Sequence, residues 1–182
     1  MKLFKRLLKY LSILLIIITI IVVSIIHIFG NFYQIDNDVY RSGQLNKYNL
    51  PYYIEHKHIK TILNLRGKSN GEFYKIETNI SNKYGVTHID YGFSNKDFLD
   101  FNKTSEIVSI IKNAKKPLLI HCAGGADRTS LAAALYQYAI AHKSPKIAEE
   151  QFSIIYGHSP YFRPYVEAMD RSFNDYVKKS KE

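Results

Sequence analysis

Cys122 is the only thiol in the 182 residues, and it stands in the segment Ile120-His121-Cys122-Ala123-Gly124-Gly125-Ala126-Asp127-Arg128-Thr129-Ser130. The run Pro117 to His121 before it is apolar in the manner of a buried strand, and an Ala-rich stretch from Thr129 to His142 after it reads as a helix. A loop that ends on a helix N-terminus aims unpaired N–H groups into one concavity, where the helix dipole adds partial positive charge. Gly124 and Gly125 allow the close backbone approach an anion cradle needs, and Arg128 offers a planar, two-pronged donor to phosphate oxygens. The candidate phosphate-binding residues are therefore Ala123, Gly124, Gly125, Ala126, Arg128 and Thr129.

A cysteine at the base of such a cradle is expected to ionise more readily than a free thiol, because the dipole, the N–H groups and the guanidinium all favour thiolate. The chemistry that follows is attack of sulfur on a bound phosphate monoester, release of the leaving oxygen, and hydrolysis of a phosphocysteine by water. The Thr129 hydroxyl is expected to donate to the Cys122 sulfur and ease its departure in the second step. Neither metal nor other cofactor is expected.

His-Cys-x5-Arg-Thr resembles the signature of the cysteine-dependent protein tyrosine and dual-specificity phosphatase superfamily. Tyr40-Arg41-Ser42-Gly43-Gln44 and Thr61-Ile62-Leu63-Asn64-Leu65-Arg66 are similar to strands of its compact bacterial and fungal members, so the resemblance covers roughly residues 32–142. It implies Cys122 as nucleophile and Arg128 as phosphate clamp. It also implies a proton donor for the leaving group, which then activates water. The Trp-Pro-Asp loop of the large tyrosine phosphatases is excluded, since the chain has no Trp. Candidates are Asp127 inside the cradle, ahead of Asp97 on the loop from Tyr91 to Asn102, with Asp100 and Asp90 behind. Bound phosphate is expected to raise the pKa of Asp127 by like-charge repulsion, which suits an acid; pairing with Arg66 or a nearby Lys is the competing reading. Arg41 and Arg66 are expected to brace the sheet edge and its loops, and His56 and His58 to sit at an exposed helix end.

These residues need a scaffold, and the chain supplies its pattern. Thr61 to Leu65, Val86 to Ile89 and Pro117 to His121 read as strands, and Leu50 to His56, Gly71 to Lys83 and Ser105 to Ala114 as helices between them. Phe32 to Ile35 and Val39 to Arg41 read as short strands, and Pro145 to Ile155 and Tyr165 to Lys179 as closing helices. Alternation of strand and helix predicts an α/β domain with a central, mainly parallel sheet flanked by helices. With 46% hydrophobic and 23% charged residues, a disordered chain is excluded.

Residues 11–29 carry no formal charge and are long enough to cross a bilayer. The exit Ile26-His27-Ile28-Phe29-Gly30 lacks the small residues of a cleavage site, so an uncleaved transmembrane anchor is expected. The expected organisation is a basic cytoplasmic tail over 1–10, the anchor over 11–29 and a phosphatase domain over 31–182. Lys2, Lys5, Arg6 and Lys9 supply four of the nine net positive charges, which by the positive-inside rule places the catalytic domain on the far, periplasmic or extracytoplasmic side. The remaining excess is spread out, which argues against a nucleic-acid face. The expected partners are the membrane, through the N-terminal helix, and a phosphorylated substrate. That substrate is a phosphoprotein or, alternatively, a phosphoinositide or inositol phosphate; a phosphate-binding protein without turnover is the non-enzyme alternative.

Overall fold

The structure, a computed structural model, describes residues 2–27 and 29–181. Among them, strands β1 (Tyr33–Asp36), β2 (Val39–Ser42), β3 (Thr61–Asn64), β4 (Thr87–Asp90) and β5 (Leu118–His121) form one sheet in the order β1-β2-β5-β3-β4. Only β1 runs antiparallel; β5 lies parallel between β2 and β3, with His121 level with Ser42 on one side and Asn64 on the other. The expected α/β fold with a mainly parallel sheet is present. Loops at the carboxyl ends of the strands therefore converge at the end of β5, the usual crevice of such sheets.

Alternation along the strands sorts the core into two layers. Tyr40, Ile62 and Leu119 point to one face and pack with Leu50 and Ile54 of helix α2 (Asn49–Lys57), beside α3 (Glu72–Lys83). Val39, Leu63, Leu118 and Ile120 point to the other face. There they meet α4 (Phe101–Asn113), α5 (Asp127–Leu135) and α7 (Glu167–Lys179), with the short α6 (Pro145–Glu149) alongside. The alanines of α5 are explained by this packing: Ala132, Ala133 and Ala134 are each 0% exposed, so the helix is enclosed on all sides and has room only for small side chains.

Three helices depart furthest from the sequence expectation. Helix α4 starts at Phe101 rather than Ser105, because the Asp100 carboxylate accepts from Lys103 N and caps it. The helix after Cys122 starts at Asp127, ends its α-helical part at Leu135 and widens into a π turn over Tyr136–Ile140. The helix expected to reach Ile155 stops at Glu149, and soon after it the Gln151 carbonyl accepts from Arg41 instead of extending the ladder.

Helix α1 (Lys2–His27) contains the span Phe4–Ser24, long and apolar enough to cross a membrane, none of it buried against the rest of the chain. Ile28 of the expected anchor, Met1 of the tail and Glu182 of the domain lie outside the described residues.

Candidate active site

Cys122 follows directly on β5, 3% exposed, and residues 123–126 turn from the strand end to the start of α5. Ala123 and Gly124 face solvent, while Gly125 and Ala126 are enclosed. Gly125 has φ +71°, and a Cβ there would meet Gly43 N at 2.5 Å and Ser42 C at 2.7 Å. A Cβ on Gly124 would meet nothing within 4 Å. The first glycine thus opens the mouth, and the second lets the turn after β2 press against the loop. Gln44 N donates to Ala123 O (2.9 Å), so the segment after β2 is tied to the loop by backbone as well as by contact.

Arg41 holds the loop from behind. It is 0% exposed, and its Nη2 donates to Gly125 O (2.8 Å) and Ser130 Oγ (2.9 Å) while Nη1 donates to Gln151 O (3.1 Å) and Oε1 (2.8 Å). The guanidinium also lies 3.8 Å from the Tyr156 ring centroid, and burial lowers its pKa to about 10. This agrees with the expected bracing part and makes it far more central than a sheet-edge contact. A resemblance of five residues gave no hint that the partners would come from residues 125, 130 and 151.

Arg128 is half-buried at the start of α5, and its Nη1 donates to Leu65 O (3.0 Å) and Phe93 O (3.1 Å). These bonds set the guanidinium plane between the end of β3 and the loop after β4. Its Nε and Nη2 make no hydrogen bond among the described residues. Arg66 stands near it: Nη1 donates to Gln44 Oε1 (2.8 Å), the guanidinium stacks 3.7 Å over Phe73, and burial together with the charge of Arg128 lowers its pKa. A depression of about 500 Å³, lined by Gln44, Leu45, Lys47, Tyr48, Phe73 and Ile76 among others, lies beside Arg66, which touches its Gln44 and Phe73 walls.

Beneath Cys122 lies a buried polar chain that sequence reasoning missed. Glu77 of α3, read only as a helix residue, receives Gln44 Nε2 on Oε2 and faces both His88 Nε2 (2.8 Å) and His121 Nε2 (3.1 Å) with Oε1. Burial opposes its charge, yet the two histidines hold its pKa down to about 2. The signature histidine, at the end of β5, is therefore fixed by a carboxylate on helix α3, 44 residues away. An acidic residue on the buried side of an amphipathic helix was the available signal.

One expectation needs correction, and another is set in context. The Thr129 hydroxyl donates to Ser42 O at 3.5 Å, not to the Cys122 sulfur; it is fully buried and turned toward β2. The rise expected for the Asp127 pKa depends on bound phosphate; the protein groups around the carboxyl act in the opposite direction. Burial pushes it up, but hydrogen bonds from His158 (2.9 Å) and Asn95 (2.9 Å) and the charge of Arg163 hold it below the usual carboxylate range. Its partner is Arg163, through two nitrogens, rather than Arg66 or a lysine. Of the other carboxylates, Asp100 caps α4, and Asp90 accepts from Tyr74 OH (2.6 Å) and Asn64 Nδ2 (2.8 Å). Asp97 is exposed and makes no hydrogen bond or ion pair among the described residues; it lies two residues from Asn95, which bonds Asp127 at the rim of the cradle.

The tyrosine phosphatase family model matches residues 27–138. No curated protein matches the sequence. Among solved structures, TpbA of P. aeruginosa superposes with a TM-score of 0.61 at 19% identity, over 81% of this chain and 91% of that one. The core catalytic domain of the PP-IP phosphatase SIW14 from S. cerevisiae gives 0.63 at 19% identity, over 82% and 89%. PTPMT1 gives 0.56 at 16% identity, over 82% and 98%. At these identities the superpositions speak for the fold, and the family match supplies the rest: the chain belongs to the tyrosine phosphatase family.

Proposed function

We propose that the protein is a membrane-anchored, cysteine-dependent phosphatase that hydrolyses phosphate monoesters of phosphotyrosine or dual-specificity protein substrates. The observation that carries this reading is Cys122 at the floor of the loop between β5 and α5, with Arg128 half-buried at the helix start and two of its nitrogens unengaged among the described residues. In the proposed reaction Arg128 Nε and Nη2 and the loop N–H groups hold three phosphate oxygens. The Cys122 thiolate attacks phosphorus as the P–O bond to the leaving group breaks, and the departing oxygen takes a proton from a carboxylic acid. The same carboxylate then takes a proton from water, which attacks phosphorus and breaks the P–S bond.

Asp97 is the acid in this reading. Among the described residues it is the candidate carboxylate whose oxygens have no hydrogen-bond or ion-pair partner, and it sits on the loop whose Phe93 carbonyl touches Arg128. Asp127, held ionised by Arg163 and His158, serves to lock the cradle to the segment after α6.

A second reading has one observation in its favour. Two guanidinium groups, Arg66 and Arg128, crowd one mouth closely enough that the charge of one depresses the pKa of the other, and a substrate with more than one phosphate would relieve that repulsion. A variant of TpbA has been solved with pTyr, whereas SIW14 is named a PP-IP phosphatase, so the neighbours support both classes.

Helix α1 supports the membrane location through its length and composition, with residues 31–182 forming the phosphatase domain. The deciding experiment is Cys122→Ser. Hydrolysis of an aryl phosphate should fall to background with the circular dichroism spectrum unchanged, and persistent turnover would sink the mechanism. A wild type that binds vanadate but hydrolyses no member of a panel of phosphopeptides and inositol phosphates would make the protein a binding module.

A further inference from the structure

Four large apolar side chains are exposed between Gln151 and Arg163: Ile154 (67%), Ile155 (71%), Tyr161 (87%) and Phe162 (72%). That segment contains no Lys, Arg, Asp or Glu, and its His158 is buried. Large apolar side chains exposed this densely along one short segment mark a surface that meets something.

The chain leaving α1 says what that is. Phe29 O accepts from Tyr53 OH (3.2 Å), Gly30 O accepts from Gly43 N (2.8 Å), and the buried Asn31 Nδ2 donates to both Gly124 O (2.8 Å) and Tyr156 O (3.0 Å). Three consecutive residues after the helix are thus fastened to the domain. From Ser24, where the apolar span ends, the helix rises about 4.5 Å to His27 and the chain reaches at most about 7 Å more to Phe29, against a headgroup layer about 6 Å thick on each side of a bilayer. A domain tied this closely can stand clear of the surface by only about 5 Å. Asn31 bonds the carbonyl of the residue that follows Ile154 and Ile155, so the exposed isoleucines lie beside the point where the chain enters the membrane.

We infer that residues 154–162 form a membrane-docking surface, whose apolar side chains enter the interface of the same bilayer that α1 crosses. This inference rests on the reading of α1 as an anchor. The same asparagine joins the surface to Gly124 at the mouth of the cradle, so docking holds the catalytic loop at headgroup depth.

The absence of Trp from the chain permits a direct test. The full chain carrying Ile155→Trp is reconstituted in vesicles of phosphatidylcholine and phosphatidylglycerol, with or without brominated acyl chains. Tyr161→Trp provides a second probe in the same surface. Lys112→Trp, in the last turn of α4 at the opposite end of the sheet from the cradle, is the control. Expected are retention after alkaline carbonate washing, a blue-shifted emission, and loss of intensity with brominated lipid at 155 and 161 but not at 112. Retention with no bromine quenching at either probe overturns the docking surface and leaves the anchor standing. A blue shift without bromine quenching means a second copy covers the surface, which also overturns it. Release by carbonate overturns both readings.

Discussion

Arg163 grips Asp127 with two nitrogens, Nη1 to Oδ2 at 2.9 Å and Nη2 to Oδ1 at 3.1 Å, across 36 residues of sequence. His158 Nδ1 adds a bond to Oδ1 and passes the network on to Asp170 through Nε2 (2.9 Å). The first residue of α5 is thereby clamped to the segment that precedes α7, and the N-terminus that forms one wall of the cradle cannot shift without moving that segment.

Asp97 and Asp127 should separate in kinetics and in stability. Asp97→Asn is expected to lower kcat by about 10²- to 10⁴-fold and to remove the fall in activity at high pH, since an acid works only while protonated. Asp127→Asn should retain that limb and instead lower the melting temperature, at a cost of about 1–3 kcal/mol for disturbing buried partners. A pH–rate profile and a thermal scan on both variants decide the assignment.

Stability should fall above neutral pH through His158. Burial opposes its charge, but hydrogen bonds to Asp127 and Asp170 and the charges of both raise its pKa from 6.5 to about 8. The folded state then binds this proton more tightly than the unfolded chain. The contribution is full below about 6.5 and is lost as pH rises through about 8; its size is on the order of 2 kcal/mol. Glu77 works in the other direction: with a pKa lowered from 4.5 to about 2, its contribution is present above 4.5 and lost as pH falls toward 2. Urea midpoints across pH should drop at both ends, and His158→Asn should flatten the alkaline one.

Adjacent glycines in the cradle should respond oppositely to a methyl group. Gly125→Ala places Cβ at 2.5 Å from Gly43 N in a left-handed backbone, so activity and melting temperature should both collapse. Gly124→Ala meets nothing within 4 Å and should keep the fold and most of the turnover. Equal tolerance of both would show that the turn after β2 does not press on the loop.

Arg66→Ala distinguishes the substrate classes. If the substrate carries a second phosphate at the mouth, kcat/KM on an inositol polyphosphate should fall about 10- to 100-fold, the worth of one charge-assisted hydrogen bond. An aryl phosphate with a single anionic group should be nearly unaffected. Equal loss on both would assign Arg66 to holding Gln44 and Glu77.

The sheet and its helices were legible because the strands are short apolar runs and the helices keep an amphipathic period. The cradle was legible because Cys122, Gly124, Gly125 and Arg128 sit within a few residues of one another. What the sequence hid are the long-range polar contacts. Arg41 with Gln151, Glu77 with His121 and Asp127 with Arg163 are each more than thirty residues apart, and nothing in local pattern couples them. The same blindness moved Thr129 toward Cys122 and left Arg163 out as the partner of Asp127.

The brace behind the cradle has a consequence for the order in which the chain is made. Arg41 is synthesised before the signature and Gln151 after it, 110 residues downstream, so the guanidinium that holds Gly125 O lacks half its acceptors until the chain has passed the loop. A product terminated after Ser130 would carry the whole motif, from His121 to Thr129, without Gln151, Tyr156, His158 or Arg163 to shape it. Possession of the signature and possession of the cradle are thus separate events in the life of the chain.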